Sequence, residues 1–289
     1  MQFDGEVVLV TGSSRGLGHA FARYLASAGA RVIVNSTGAN TQADTLVEEI
    51  LATGGQAYHV VCDVTEADEL ITRAHAQWQR LDAIVHNAGF VRDKTLRKMT
   101  DTQWDEVQAV HLKAAFQLTR AAWPLFEAQG AGSMVFISSA AALYGNFGQS
   151  NYAAAKGGLD GLCRTIAQEG AATNIRCNTV APVGATELNS ANWDDGRKAM
   201  LKTDYVAPLI AYLCHPQCQA TGGLFEASAG VFKQVRWERS AGLSLNVNAP
   251  MTLADMHNNW SQLTDFSHSD HPADMRSALA DLWAAQRRD

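Results

Sequence analysis

Residues Val7 to Gly18 read Val-Val-Leu-Val-Thr-Gly-Ser-Ser-Arg-Gly-Leu-Gly, and this stretch decides the fold of the 289-residue chain. Its four consecutive apolar residues are typical of a strand buried on both faces of a parallel sheet. The following residues, His19 to Ala28, have the pattern of a helix. A glycine-rich turn between a strand and a helix lets backbone N–H groups and the helix N-terminus bind a pyrophosphate. The stretch therefore predicts a dinucleotide site, although a glycine-rich turn without a ligand is the alternative.

Apolar runs and helical patterns alternate along the first 230 residues. Further strands are predicted at Arg31–Asn35, Ala57–Cys62, Asp82–His86, Met134–Ser138, Ile175–Val180 and Gly223–Ser228. Helices are predicted at about 41–53, 66–78, 101–129, from 149 onward and at 204–214, with Pro124 expected to kink or break the long one. This rhythm predicts an α/β fold, a Rossmann-type doubly wound parallel sheet of about seven strands.

The domain organisation follows from a change in composition near residue 231. We expect residues 1–230 to form the dinucleotide-binding domain. Residues 231–289 are richer in Trp, Asn, His and Asp and start no new glycine-loop unit. They are expected to form a C-terminal extension that packs on the same domain or lies at a subunit contact. The polar segment Glu187 to Thr203 is expected to be a mobile lid over the substrate.

Composition and charge argue against several classes of protein. The net charge is -6 and no basic block is present, so a nucleic-acid partner is not expected. No apolar run reaches the length of a membrane span, and the first residues show no signal peptide, so a cytoplasmic location is expected. Five scattered cysteines are interpreted as reduced core residues. Metal clusters at Cys214-His215 with Cys218, or at His268 with His271, lack zinc-site spacing, and no metal is predicted.

A second motif lies after the fifth predicted strand and contains Ser139, Tyr152 and Lys156. Residues four apart on a helix lie on one face, so the Lys156 ammonium is expected close to the Tyr152 phenol. A nearby positive charge favours the phenolate, which would lower the Tyr pKa and suit it to proton transfer. Ser139 could hold the substrate oxygen by a hydrogen bond. The alternative is a surface Tyr–Lys pair on an ordinary helix.

The end of the second strand indicates the choice of cofactor. Folds that select NAD usually place an acidic residue there, which accepts a hydrogen bond from the ribose 2′-OH. Here the sequence is Asn35-Ser36-Thr37, and Arg15 in the glycine turn could add positive charge. The pattern favours NADP, with NAD as the alternative. At the end of the third strand, Asp63 could bond the adenine amino group or could cap the following helix.

These motifs together resemble the short-chain dehydrogenase/reductase family. The resemblance rests on the T-G-x-x-x-G-x-G turn, Asn87-Ala88-Gly89, Ser139, Tyr152-x-x-x-Lys156 and the Pro182 segment. Stretches such as Val110-His-Leu-Lys113, Gly222-Gly-Leu-Phe-Glu226, Val235-Arg-Trp-Glu-Arg239 and Pro250-Met-Thr252 are similar to one subgroup. That subgroup is formed by the (3R)-hydroxyacyl-CoA dehydrogenase domains of peroxisomal multifunctional enzymes of type 2.

The resemblance implies a role for each catalytic residue. Tyr152 would be the general acid-base, Lys156 would bind the nicotinamide ribose and lower the Tyr pKa, and Ser139 would orient the substrate oxygen. His111 takes the position of a family Asn that kinks a helix and holds a relay water. The subgroup shares this His, so it does not indicate an inactive protein.

The motifs and the resemblance together predict a cofactor-binding set. Its members are Gly12, Ser14, Arg15, Gly16, Leu17, Gly18, Ser36, Thr37, Asp63, Val64, Asn87, Ala88, Gly89, Tyr152, Lys156, Pro182, Val183 and Thr186. Two positions depart from the family pattern. Val183 replaces a Gly that usually follows the Pro, and Ser36 replaces the Asp of the NAD-using multifunctional enzyme.

The expected function is an NADP-dependent interconversion of 3-oxoacyl and (3R)-3-hydroxyacyl thioesters, with CoA as the expected carrier. The alternatives are a steroid or other secondary alcohol or ketone as substrate, and a non-catalytic cofactor-binding protein. The resemblance also implies a homodimer or homotetramer. The chain lacks hydratase and sterol-carrier parts and ends in Arg287-Arg288-Asp289, so a free-standing bacterial and cytoplasmic relative is expected.

Overall fold

The computed structural model describes residues 1–38, 41–186 and 193–285. The chain divides into two compact units, Met1–Gln234 and Val235–Asp289. The first unit contains the predicted dinucleotide-binding motifs and the second contains most of the predicted extension.

In the described part of the first unit, eight strands form one sheet in the order β3-β2-β1-β4-β5-β6-β7-β8. The strands are β1 Val7–Val10, β2 Arg31–Ser36, β3 Gln56–Val61, β4 Ala83–His86, β5 Gly132–Ile137, β6 Ile175–Val183, β7 Leu224–Ser228 and β8 Val231–Val235. The pairs from β3 to β7 are all parallel. The strand order reverses between β1 and β4, and the crevice at the carboxyl ends of such strands is where ligands bind in open α/β sheets.

Helices cover both faces of this sheet. They are α1 Gly16–Ser27, α2 Thr41–Ala52, α3 Ala67–Trp78, α4 Asp101–Gln108, α5 Ala114–Gln129, α6 Ala140–Tyr144, α7 Ser150–Glu169, α8 Asp195–Met200 and α9 Ala207–Cys214. Two separate clusters of buried apolar side chains lie on opposite faces of the sheet. The run Val7–Val10 contributes to both clusters, because alternate residues of a strand point to opposite faces. The doubly wound α/β fold predicted from the sequence is confirmed.

The long predicted helix is continuous but not regular. Between α4 and α5, residues Ala109–Lys113 form a π-helical turn that contains His111. The helix continues through Pro124, so the predicted break is wrong, while a kink there stays a prediction. Pro124 and the preceding-turn residue Arg120 are both exposed, so water can satisfy the carbonyl group left without a partner. A π turn inserts an extra residue, and such turns frequently occur at functional sites.

Two further segments differ from the sequence prediction. The segment predicted as irregular contains α8, since the Asp194 carboxylate caps this helix by accepting a hydrogen bond from Arg197 N at 2.8 Å. The rest of that predicted lid, residues 187–192, lies outside the described residues. The sheet also gains β8 after the hairpin turn Ala229-Gly230, whose φ angles of 50° and 75° are those of a tight two-residue turn.

The second unit contains two short paired strands and three helices among its described residues. These are β9 Arg239–Ser240, α10 Leu253–Asn258, α11 Trp260–Leu263, β10 Ser269–Asp270 and α12 Met275–Ala285. The strands pair antiparallel, and the Arg239 guanidinium donates to both carboxylate oxygens of Asp270 at 2.8 and 2.7 Å. Its proposed place at a subunit contact stays a prediction.

Candidate active site

A cleft with a volume of about 740 Å³ lies at the carboxyl ends of the central strands. It brings together nearly all of the predicted site residues. Those lining it are Gly12, Ser14, Arg15, Gly16, Leu17, Ser36, Thr37, Asp63, Val64, Asn87, Ala88, Gly89, His111, Ser139, Tyr152, Lys156, Pro182 and Thr186. Gly18 and Val183 belong to the predicted set but do not line the cleft.

Two positions of the glycine turn require glycine. Gly12 and Gly16 both have φ of 59°, a left-handed conformation that side chains rarely adopt. A Cβ at Gly12 would lie 2.7 Å from the Ala88 Cα, so the backbone segments approach too closely for any side chain. The N-terminus of α1 has no side-chain cap and no acidic residue in its first turn. Its N–H groups and positive dipole end are therefore available to an anion.

Gly18 does not line the cleft, and its lack of a side chain has a packing role. A Cβ there would lie 2.4 Å from the Gly12 carbonyl oxygen and 2.5 Å from Asn87 Nδ2. The Asn87 amide donates to the carbonyl oxygens of Thr11 and Gly12 at 3.1 and 3.0 Å. The missing side chain at Gly18 lets Asn87 fasten the end of β4 to the glycine turn.

The residues of the second motif converge at the carboxyl end of β5. Ser139 follows β5 as the N-cap of α6, and its hydroxyl accepts a hydrogen bond from Ala141 N at 3.1 Å. Tyr152 and Lys156 lie on α7, with Lys156 Nζ 5.6 Å from the centre of the Tyr152 ring. Lys156 is 2% exposed, and Nζ donates to the Ile137 carbonyl oxygen at 2.5 Å. The expected juxtaposition of phenol and ammonium is therefore present.

The pKa of Tyr152 does not follow the sequence argument. Burial raises it above its usual value, and the Asp93 carboxylate raises it further, while a hydrogen bond with Ser139 lowers it. Burial also lowers the pKa of Lys156 to about 7, against an opposing effect of Asp160. Lys156 is thus only partly charged near neutral pH in the protein alone, which explains why it does not produce the expected depression of the Tyr152 pKa.

His111 lies in the π turn and its ring fills the space beside Gly89. Its Nε2 is 2.8 Å from the Phe90 carbonyl oxygen, and its ring meets the Tyr152 ring edge to face at 5.2 Å between centroids. A Cβ at Gly89 would lie 2.1 Å from His111 Cε1, so this position requires glycine. Burial first, and then Lys156, hold the pKa of His111 well below its usual value. Nδ1 is buried and has no hydrogen-bond partner among the described residues.

His86, at the end of β4, was missed by the sequence reasoning. Its Nε2 donates to the carbonyl oxygen of His111 at 3.1 Å, and its Nδ1 lies 3.4 Å from the Thr11 hydroxyl. Burial and the Lys156 charge lower its pKa to about 4, so it is neutral. The available signal was a histidine inside an otherwise apolar buried strand, directly before Asn87.

The opposite end of the cleft lies where β2 and β3 end. Ser36, Thr37 and Arg15 line it together with Gln42, which the sequence reasoning did not identify. Asp63 lines it as well, and its Oδ1 accepts hydrogen bonds from Thr65 N and Oγ1 at 2.8 and 2.7 Å. One Asp63 oxygen is thus used to shape the loop before α3. The N-cap of α3 is Glu66 and has no side-chain cap, so Asp63 does not cap the helix and its contact with adenine stays a prediction.

Metal and membrane features are not found in residues 1–38, 41–186 and 193–285. No group of three or more His, Cys, Asp or Glu side chains in these ranges could hold a metal ion. The five cysteines are buried free thiols. No helix of the described chain is long and apolar enough to span a membrane.

Comparison with known proteins places this geometry in a family. The family described as short chain dehydrogenase matches residues 6–196. The mouse peroxisomal multifunctional enzyme type 2 is 41% identical, and the match covers 98% of this chain and 40% of that protein. Peroxisomal multifunctional enzyme A of Dictyostelium discoideum is 39% identical over 99% of this chain and 66% of its own. The chain thus spans about half the length of these relatives.

Two solved structures extend the comparison. The full-length peroxisomal multifunctional enzyme type 2 from Drosophila melanogaster is 34% identical with a TM-score of 0.87, and the match covers 99% of this chain and 50% of that one. A putative NAD(P)-dependent gluconate 5-dehydrogenase from Beutenbergia cavernae with bound NADP is 27% identical. Its TM-score is 0.72, and the match covers 79% of this chain and 97% of that one.

The names of these relatives contradict one expectation. The mouse, Dictyostelium and Drosophila proteins are all named as peroxisomal enzymes. The prediction of a cytoplasmic location is therefore wrong, because it relied on terminal residues and not on the relatives themselves.

Three findings point to the same family. The family match covers most of the sheet unit, the relatives exceed 30% identity, and the glycine turn lines the same cleft as Tyr152 and Lys156. The chain belongs to the short-chain dehydrogenase/reductase family, whose members bind NAD(P) and oxidise CH–OH groups or reduce the corresponding carbonyl groups.

Proposed function

We propose that this protein interconverts 3-oxoacyl and (3R)-3-hydroxyacyl thioesters, with CoA as the carrier and NADP as the cofactor. The observation that supports this most strongly is the placement of Ser139, Tyr152 and Lys156 in one cleft with the Gly12 turn. When bound, the nicotinamide supplies the hydride chemistry, and the protein supplies binding, orientation and proton transfer.

The residues fit a dinucleotide along the whole cleft. The Gly12–Gly16 turn, which lines the cleft, and the uncapped N-terminus of α1 would hold the pyrophosphate. Arg15, Ser36 and Thr37 would hold a 2′-phosphate, because Arg and hydroxyl groups donate hydrogen bonds. Lys156, donating to the Ile137 carbonyl at the other end, would hold the nicotinamide ribose.

Tyr152 would move the proton. Its phenol, whose pKa burial raises, would donate a proton to the carbonyl oxygen during reduction and accept it back during oxidation. The Ser139 hydroxyl is fixed by Ala141 N and would hold the same substrate oxygen. A negatively charged ligand beside Lys156 would favour the ammonium form and thereby restore the charge that stabilises a phenolate.

The rim of the cleft supports an acyl substrate. Phe90, Val91 and Val110 line the cleft close to His111. The loop between α6 and α7 lines the cleft through Asn146 and Gln149, and its Phe147 is 88% exposed. An apolar rim next to a polar reaction centre suits a substrate with an acyl chain. The resemblance to the hydroxyacyl-CoA dehydrogenase subgroup supports the same substrate class.

The decisive experiment replaces Tyr152 by Phe. This variant should lose turnover by at least about a hundredfold, since general acid-base catalysis contributes about 10²–10⁴-fold. Its NADPH affinity, measured by calorimetry, should stay within about twofold. The matched control is Tyr144→Phe, because Tyr144 is exposed on the loop side and does not line the cleft. Turnover by Tyr152→Phe at the wild-type rate would refute the mechanism.

A screen of substrates identifies the class. Rates with oxoacyl-CoA of several chain lengths, ketosteroids and simple ketones should be highest for oxoacyl-CoA with NADPH. A preference for a ketosteroid would support the secondary-alcohol alternative. No oxidation of reduced nicotinamide with any carbonyl compound would support a non-catalytic cofactor-binding protein. The homodimer or homotetramer stays a prediction, which light scattering would test.

A further inference from the structure

Three polar side chains form a linear array behind the Ser36 end of the cleft. Ser36 Oγ is 2.8 Å from His59 Nε2, and His59 Nδ1 is 2.7 Å from Asp44 Oδ1. The array crosses from β2 through β3 to α2. Ser36 lines the cleft, whereas His59 and Asp44 do not. We call these three residues the Ser36 relay.

The hydrogen bonds of Ser36 define the direction of the relay. Its hydroxyl donates to the Gly38 carbonyl oxygen at 3.1 Å, so its oxygen accepts from His59 Nε2. The Asp44 carboxylate can only accept, so His59 Nδ1 donates to it. In this arrangement His59 presents an N–H from each ring nitrogen, one to Ser36 Oγ and one to the Asp44 carboxylate. Its side chain is 11% exposed, whereas Asp44 is 60% exposed.

Two cofactors need opposite chemistry at this position. A ribose 2′-OH is selected by an acceptor such as a carboxylate, whereas a 2′-phosphate has only acceptor oxygens at neutral pH and needs donors and positive charge. A serine whose oxygen already accepts from an imidazolium can present only its O–H to a ligand in this arrangement. A neutral His59 would instead accept the serine proton and leave Ser36 as an acceptor.

We propose that His59 and Asp44 are positioning residues that hold Ser36 as a hydrogen-bond donor and thereby select a cofactor with a 2′-phosphate. This inference rests on the proposed NADP dependence and adds residues that do not touch the cofactor. On binding, the Ser36 hydroxyl turns from Gly38 O towards a phosphate oxygen, while His59 keeps the other side of Oγ occupied. The imidazolium also places a positive charge one side chain behind the phosphate.

The test compares the dissociation constants of NADPH and NADH for three variants. His59→Gln removes the charge, Asp44→Asn removes the carboxylate that holds it, and Glu48→Gln is the matched control. Glu48 is a surface acid on α2, one turn after Asp44. Calorimetric titration of each cofactor into the full chain needs no substrate, so the result does not depend on turnover.

We expect His59→Gln and Asp44→Asn to weaken NADPH by about tenfold or more, since hydrogen bonds with charged groups are the strong ones. NADH should change by less than about twofold, and Glu48→Gln should behave as wild type. A merely structural role would weaken the binding of both cofactors together. That outcome would overturn the proposal, as would no change in either affinity.

¹⁵N spectra of histidine-labelled protein give a second readout. They should show both His59 nitrogens protonated at pH 7, with the signal assigned by its loss in His59→Gln. A neutral ring would refute the relay.

The outcomes separate this inference from the proposed function. If wild-type protein binds NADH more tightly but His59→Gln still lowers relative NADPH affinity, the NADP proposal fails and the relay stands. If wild type prefers NADPH and the ratio is the same in His59→Gln, the relay fails and the NADP proposal stands.

Discussion

The two ends of the cleft use histidine in opposite ways. At the Lys156 end, where the nicotinamide is proposed to bind, His86 donates from Nε2 to His111 O, and Thr11 Oγ1 lies beside its Nδ1. That arrangement satisfies a neutral ring. At the Ser36 end, His59 Nε2 lies 2.8 Å from the Ser36 hydroxyl and Nδ1 lies 2.7 Å from the Asp44 carboxylate.

Local surroundings explain this difference. His86 and His111 are 0% and 2% exposed, and burial first and then the Lys156 charge lower the pKa of both rings, so both effects oppose protonation. His59 has a carboxylate partner and lies near the surface. Burial thus keeps His86 neutral beside Lys156, while a carboxylate partner suits the role proposed for His59 at the Ser36 end.

The largest expected effect comes from Gly89→Ala, which should damage only the nicotinamide end. The new Cβ would collide with His111 Cε1, and the buried ring cannot move without distorting the π turn. We expect kcat to fall by about a hundredfold, because small displacements of catalytic groups have effects of this size. Overpacking should also lower the free energy of unfolding by about 1–3 kcal/mol. Steady-state kinetics and chemical denaturation measure both.

The control for this variant is Gly161→Ala on α7. Gly161 is exposed, and no heavy atom lies within 4 Å of the position that an alanine methyl group would take there. Alanine at this position should raise the free energy of unfolding by about 0.5–1 kcal/mol.

The ratio of NADPH to NADH affinity should be the same in Gly89→Ala as in wild type. A changed ratio would show that the two ends of the cleft are coupled.

The variant Lys156→Met tests whether burial lowers the pKa of Lys156. The pKa of folded Lys156 is about 7, below its ordinary value of 10.5, so between these values only the unfolded chain binds the proton. Wild-type stability should therefore rise with pH from about 7 to about 10, by up to a few kcal/mol. Lys156→Met should lack this increment, since it cannot titrate.

The measurement for Lys156 is urea denaturation at pH 7 and pH 9.5 for both proteins. Buried thiols such as Cys214, whose pKa burial raises to about 12, also affect stability in alkali. Their contribution is common to both proteins and cancels in the difference. Parallel pH dependence of wild type and Lys156→Met would contradict the buried, weakly protonated lysine.

The alternation of strands and helices was readable in the sequence because each strand is a short apolar run. Val7–Val10 is buried on both faces, and a strand buried in this way needs consecutive apolar residues, which the sequence shows directly. The π turn at Ala109–Lys113 was not readable, since it depends on the space beside Gly89 and on the donor His86. Those groups come from a strand and a loop more than twenty residues away in sequence.

The positions of the site residues were predictable, but their electrostatics were not. Tyr152 and Lys156 were identified by spacing, and the cleft contains both. Their pKa values depend on burial, which spacing does not reveal. The Ser36 relay could not be predicted from the sequence, for a different reason. His59 and Asp44 are fifteen residues apart and meet only because β3 packs beside α2.

The smallest expected effect concerns the neutral ring of His86. Its folded pKa of about 4 lies below the ordinary value of 6.5, so in this interval only the unfolded chain binds the proton. Stability is complete above pH 6.5 and is lost as the pH falls towards 4, by up to about 3 kcal/mol from this residue. His86→Asn retains a donor for His111 O without titrating. It should therefore lose less stability than wild type between pH 8 and pH 4.5 in urea denaturation. Each protein is compared with itself at pH 8, which removes any packing cost of the substitution. An equal loss of unfolding free energy in both proteins would show that the fold does not keep His86 neutral.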